Sequence, residues 1–170
     1  MTQIDGTLDE AMARETGEGR FQVAISSGGT HFLADEPVDS GGLGSGPTPY
    51  QLIASALAAC TTMTLRLYAE QKDLPVRDIC TAAGHHREKG ATPPDVFVRR
   101  ISFKGDLTEA QRERLLEIAD RCPVHKTLTA GARVETKLGD ALPQSAPAAV
   151  HMADMEALIA VGRGSFDFTE

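Results

Sequence analysis

Apolar positions recur along the chain at two rhythms, and the points where the rhythm changes mark out its elements. In GPTPYQLIASALAACTTMTLRLYAEQK, the residues Leu52, Ile53, Ala56, Leu57, Cys60, Met63 and Leu67 follow one another at three- and four-residue steps, the period of one helix face. Thr48 caps this helix, Pro49 suits its first turn and Gln51 completes a capping box, so the helix is predicted from residue 49 to about Lys72, ahead of Pro75. A helix of that length extends about 36 Å and is expected to be the central, mostly buried element. A second capping box, Thr108 with Gln111, opens a helix whose apolar stripe is Leu115, Ile118, Ala119 and Cys122. Pro123 drives Cys122 out of the helical region and suits the first turn of a new helix, PVHKTLTA, which leaves Cys122 at its N-terminus.

Shorter segments read as strands. FQVAISS and THFLADE flank Gly28-Gly29, a two-glycine hairpin turn. VRDICTAAGHHREK and DVFVRRISFKG flank KGATPP, and ARVETKL is expected to be a final alternating strand. The loop EPVDSGGLGSGP has no strand before it and no helix after it in dinucleotide-fingerprint register, so its glycines are loop punctuation. GDALPQSAPAA reads as a linker, and VHMADMEALIAVGRG as a short amphipathic helix stopped by Gly162 or Gly164. The sum is an α+β chain without internal repeats. Its expected organisation is a polar N-terminal extension over 1–18, one domain over 19–138, and a linker with a C-terminal helix over 139–170.

Composition narrows the function. The 170 residues are 41% hydrophobic and 24% charged, which suits one globular domain with a real core. A net charge of −7 argues against a phosphate backbone as partner, so nucleic acid is not expected. The polar, acidic N-terminus lacks a secretory pattern and no long uncharged apolar run follows, so the expected location is the cytoplasm, with no membrane partner. In that reducing compartment a cysteine pair is catalytic or sensing rather than a permanent staple.

The candidate chemistry lies in Cys60 and Cys122, one on each helical stripe, so the two stripes could meet. Cysteine also packs as a small hydrophobe, and that reading is kept for the strand residue Cys80. Cys122 differs because amides and the dipole at a helix N-terminus favour a thiolate, with His125 and Lys126 expected to add positive charge. Cys60 lies mid-helix, and any activation of it must come from tertiary partners. A zinc site through Cys60, Cys122, His125 and His85 or His86 lacks the tight paired spacing of such sites, so no metal is expected. His85-His86 reads as a strand end with one ring outward, and His151 as the start of the tail helix.

Taken together, GPTPYQLIASALAACTTMTLRLYA, HHREK, GDLTEAQRERLLEIADRCPVHKTL and the closing strand resemble the OsmC/Ohr family of stress-linked thiol proteins, from about Gly19 to about Leu138. The resemblance implies an α+β sandwich with a long central helix, in which two chains intertwine as a homodimer with the cysteines near the interface. It also implies that Cys60 attacks a small-molecule hydroperoxide and becomes a sulfenic acid, and that Cys122 resolves it to a disulfide. An external dithiol, of lipoyl type for example, would reopen the disulfide, and no cofactor would be needed. The chain departs from the family's peroxidases in two places. Tyr50 stands where they have a glutamate, and Ser27-Gly28-Gly29-Thr30-His31 occupies the turn where they have an arginine. His125, Tyr50, Arg20 and His31 are the candidate supporting residues, with Arg66 a further one. The TPY opening and CPVHKTL resemble a separate branch of the family, whose Cys-rich insert this chain lacks. Two functions remain open: a thiol-dependent organic hydroperoxide reductase, and a non-catalytic small-molecule-binding or interaction protein on the same scaffold.

Overall fold

The computed structural model describes residues 10–138 and 150–160. They fall into two compact units, one of residues 10–52 with 134–138, 150 and 151, the other of residues 53–133 with 152–160.

The first unit carries a three-stranded antiparallel sheet in the order β1-β2-β3, with β1 at Ala11–Glu15, β2 at Val23–Ser27 and β3 at Thr30–Ala34. Gly28 and Gly29 make the hairpin turn with φ of 56° and 77°, values that a two-residue turn of this hand needs and that glycine adopts without a steric penalty. Strand β1 lies inside the segment expected to be only a polar extension. Its residues AMARE show no apolar alternation, and it is a strand because its backbone pairs with β2, from Ala11 opposite Ser27 to Glu15 opposite Val23. The Gly-Ser loop after β3 winds around one buried carboxylate. Asp35, 2% exposed, accepts from the amides of Glu36, Leu43 and Ser45 at 2.8, 2.9 and 3.3 Å and from the Ser45 hydroxyl at 2.9 Å. Burial raises its pKa, but these donors outweigh burial and hold it below the ordinary carboxylate value. Gly46 closes the loop where a Cβ would come within 2.0 Å of the Leu33 carbonyl oxygen.

Helix α1 spans Pro49–Gln71, with the expected cap: the Thr48 amide donates to Gln51 Oε1 at 2.9 Å and the Gln51 amide to Thr48 Oγ1 at 3.3 Å. Its buried face, however, is rotated from the expected stripe. Ala54, Leu57, Cys60, Thr61, Thr64, Leu65, Tyr68 and Ala69 are buried, whereas Ile53, Ala56 and Met63 are exposed. Two threonines can face inward because their hydroxyls donate one turn back, Thr61 to the Leu57 carbonyl at 2.7 Å and Thr64 to that of Cys60 at 2.8 Å. By length and composition α1 could cross a membrane, but its inward face belongs to the protein core.

In the second unit, β4 (Arg77–Arg87) and β5 (Asp95–Lys104) form a two-stranded antiparallel sheet in which His85 lies opposite Phe97 and Ala83 opposite Arg99. Ile79, Thr81, Ala83 and His85 alternate inward on β4, and Phe97, Arg99, Ile101 and Phe103 on β5. Helix α2 (Glu109–Ala119) has the expected capping box of Thr108 and Gln111, and α3 (Pro123–Ala130) begins at Cys122. Leu65, Tyr68 and Ala69 of α1 pack with Leu115, Ile118 and Ala119 of α2 and with Ile159 of the tail helix α4 (Val150–Ala160). The expected linker, residues 139–149, and the glycine stop after α4 lie outside the described residues.

ARVETKL is not a strand. Residues 132–138 are irregular and exposed, with Val134 85% and Leu138 100% exposed. Alternation gives a segment two different faces, but a strand exists only where a neighbouring strand takes up its hydrogen bonds, and no described strand does so here.

Candidate functional site

Cys60 and Cys122 meet. Cys60 is 2% exposed in the middle of α1, Cys122 is fully buried at the N-cap of α3, and both belong to one small cluster with Leu57, bordered by Ala83, Phe97 and Val124. Both are free thiols, close enough for a hydrogen bond between the two sulfurs.

The backbone at Cys122 explains how α3 contributes. Extended at φ −54° and ψ 132° and followed by Pro123, Cys122 turns the first amides of α3 toward the sulfurs. The Val124 amide donates to Cys60 Sγ at 3.4 Å. The Cys122 thiol is held down to a pKa of about 6, first by the hydrogen bond from Cys60, then, against the opposing effect of burial, by the His125 amide, the Thr61 hydroxyl and the Val124 amide. Cys60 moves the other way, raised above an ordinary thiol by its bond to Cys122 and by burial, which the Val124 amide and Thr64 only partly offset. The two thiols titrate as a coupled pair, with the charge drawn toward Cys122 and the proton toward Cys60.

Beyond the sulfurs stands a cation that the sequence reading did not single out. Arg99, its side chain 12% exposed, reaches in from β5: Nη1 donates to Thr61 Oγ1 at 2.9 Å and to the Ala119 carbonyl at 3.0 Å, and Nη2 to Asp120 Oδ1 at 2.7 Å. A signal for it existed, because in FVRRISF an arginine takes the inward register that Phe97, Ile101 and Phe103 share.

The candidate supporting residues are placed as follows. His125 lies in the first turn of α3, with its Nδ1 3.8 Å from Asp120 Oδ1. Burial pushes its pKa down, Asp120 opposes this, and Arg99 and Lys126 push further down, so near neutral pH His125 contributes its amide rather than the expected positive charge. Lys126 is exposed. Arg66 donates to the Val76 carbonyl at 3.0 Å and pairs with Glu70 at 3.9 Å. Arg20, His31 and Tyr50 fall in the other unit: Arg20 lies 4.8 Å over the Phe21 ring, His31 is exposed on β3 opposite Ser26, and Tyr50 is 46% exposed on the first turn of α1. Of the two adjacent histidines, His85 points inward, its ring 4.8 Å from Phe97 and Nε2 2.9 Å from Asp95, and His86 points outward. Cys80 is exposed on the outward face of β4. Among the described residues no three His, Cys, Asp or Glu side chains are placed to hold a metal ion.

A buried pair of free thiols, held between a long helix and the N-terminus of a short one in an α+β fold, defines the class as that of dithiol proteins. Residues 42–137 match the family model for OsmC-like protein, and the chain belongs to that family. Solved structures agree in fold. An OsmC-like protein from Mycoplasma pneumoniae superposes with a TM-score of 0.56 at 19% identity, over 72% of this chain and 87% of that one. An organic hydroperoxide resistance protein OsmC from Legionella pneumophila gives 0.53 at 21%, over 70% and 87%. The organic hydroperoxide resistance protein OhrB of Bacillus subtilis gives 0.50 at 22%, over 69% and 87%. A comparison with curated proteins finds no match.

Proposed function

We propose that the chain is a thiol-dependent reductase of organic hydroperoxides. The observation that carries this reading is the hydrogen-bonded pair itself: two buried thiols on different elements, one held near a pKa of about 6. The proton on Cys60 crosses to Cys122, and the Cys60 thiolate attacks the terminal oxygen of the hydroperoxide. The O–O bond breaks, the alkoxide leaves and takes the proton from Cys122, and Cys60 becomes a sulfenic acid. The Cys122 thiolate then attacks the Cys60 sulfur, an S–S bond forms, and hydroxide leaves to be protonated by solvent. One peroxide is reduced by two electrons as two thiols are oxidised. A cytoplasmic dithiol restores the pair by exchange, becoming a disulfide itself. Leu57, Ala83, Phe97 and Val124 line the cluster, so an organic tail gains more there than a second hydroxyl would.

Counting thiols tests the reading. One equivalent of an alkyl hydroperoxide should remove two of the three thiols per chain, leaving Cys80, with no crosslink between chains. Three thiols remaining after that dose would leave the scaffold a binding module.

The reading includes a homodimer. Ile53 and Met63 on α1 are 37% and 52% exposed, and residues 132–138 keep a strand's alternation with Val134 and Leu138 uncovered, surfaces that a second copy would bury and pair. Light scattering at low micromolar concentration should return the mass of two chains. A folded monomer at that concentration would overturn this part.

A further inference from the structure

We propose that Arg99 is a positioning residue for the thiol pair, acting through the Thr61 hydroxyl to stabilise the ionised form of Cys122. The inference rests on the pair being the reactive centre, but not on a peroxide being its substrate.

Thr61 has a single proton to place. A hydroxyl has one hydrogen to give and two lone pairs to offer. Arg99 Nη1 occupies one lone pair at 2.9 Å. The structure gives that hydrogen to the Leu57 carbonyl at 2.7 Å, and the Cys122 sulfur, whose pKa the Thr61 hydroxyl lowers, is the alternative acceptor. With Cys122 protonated, the carbonyl is the better acceptor. Once Cys122 is ionised, the sulfur is, and the hydroxyl turns to it. A guanidinium donating to the oxygen polarises the O–H bond and strengthens whichever bond that hydrogen makes. The gain is larger for the charged acceptor, so the arrangement favours the thiolate.

Arg99 is built to hold that oxygen in place. Its planar fork is fixed at three points, Thr61 on α1, the Ala119 carbonyl at the end of α2, and Asp120 just beyond it. The side chain is 12% exposed while its carboxylate partner Asp120 is 63% exposed, so solvent screens the counter-ion more than it screens the cation. The same residues deliver Cys122, since its amide donates to the Ala119 carbonyl at 3.3 Å. The groups around Cys122 that also bear charge or titrate are Cys60 on α1, Asp120 and Arg121 after α2, His125 and Lys126 on α3, and His85 on β4 behind Phe97. His125 is held toward its neutral form, and Lys126 is exposed. Arg99 is thus the cation bonded both to Thr61, next to Cys60 on α1, and to the Ala119 carbonyl that the Cys122 amide also reaches.

The test is a pH titration of thiolate ultraviolet absorbance in a Cys80→Ser background, which reads ionisation without turnover. Thiol counting with peroxide can therefore fail while this succeeds, and the reverse. Thr61→Val keeps the buried volume and removes the hydroxyl, and it should raise the midpoint of the Cys122 step by about one unit. Arg99→Gln should raise it by a similar amount, and the double variant should move it no further than the larger single one, because the two act in series. Should Arg99→Gln not fold, Arg99→Lys takes its place, with a midpoint between wild type and Thr61→Val. An unmoved midpoint in a folded Thr61→Val or in a folded Arg99 variant would overturn the proposal, as would additive shifts in the double variant. A merely structural Arg99 would lower thermal stability and leave the titration where it is.

Discussion

Cys60→Ser should abolish hydroperoxide consumption, while Cys122→Ser should still allow one oxidation and then stop, with Cys60 trapped as sulfenic acid or over-oxidised. Losing the attacking thiol removes the reaction itself, an effect on the order of 10³-fold or more in the second-order rate constant. Losing the resolving thiol removes only the second step. The reverse pattern would move the attack to Cys122, the sulfur toward which the charge is drawn. Stopped-flow oxidation of wild type and both variants separates these outcomes. The pH profile follows from the same geometry. The ionising thiol is held down to about 6, so the thiolate form grows about tenfold per pH unit as pH rises toward that value and levels off above it. The oxidation rate of the wild type should climb and level with it. An organic hydroperoxide should be preferred to hydrogen peroxide, and a preference for hydrogen peroxide would remove the substrate assignment alone.

The sequence was most legible where local chemistry decides the structure. Capping boxes at Thr48 and Thr108, the Gly28-Gly29 turn and the Cys122-Pro123 helix start are settled within four residues, and each stands where the sequence places it. The stripe through Leu115, Ile118, Ala119 and Cys122 was also readable, because apolar side chains at helical spacing had one consistent face. Reading failed where polarity and burial part company. Thr61 and Thr64 look like solvent-facing residues, and only their bonds one turn back make them core, which rotates the buried face of α1 away from Ile53 and Met63. Strand β1 and residues 132–138 failed in opposite directions for one reason: strand pairing is non-local, so a pentapeptide without apolar alternation becomes a strand beside β2 while an alternating heptapeptide without a neighbour does not. The two thiols could be named from sequence, but not the charge beside them. Arg20, His31 and Arg66 are candidate substitutes for the charged pair that the family resemblance implies, whereas Arg99 reaches the site because β5 turns every second residue inward.

Leu115→Ala should be the most damaging truncation outside the thiols. Leu115 is fully buried among Leu65, Tyr68, Ile118 and Ile159, where three helices contribute side chains to one cluster. Removing a buried leucine's outer atoms forfeits their transfer energy and leaves a cavity, about 3 to 4 kcal/mol together, against a total stability on the order of 5–15 kcal/mol. Leu116 is the control. One residue further along the same helix it is 52% exposed, and Leu116→Ala should cost within about 0.5 kcal/mol unless a second chain covers it. Urea denaturation at one fixed protein concentration measures both, since subunit association would otherwise enter the comparison. The site should feel the same change, because α2 ends at Ala119, whose carbonyl accepts from Arg99 and from the Cys122 amide. A loosened α2 opens the buried thiols more often, so Leu115→Ala should also speed alkylation of Cys122 by a neutral reagent while Leu116→Ala does not. Equal costs for the two leucines would mean that this cluster is not what holds α2 against α1.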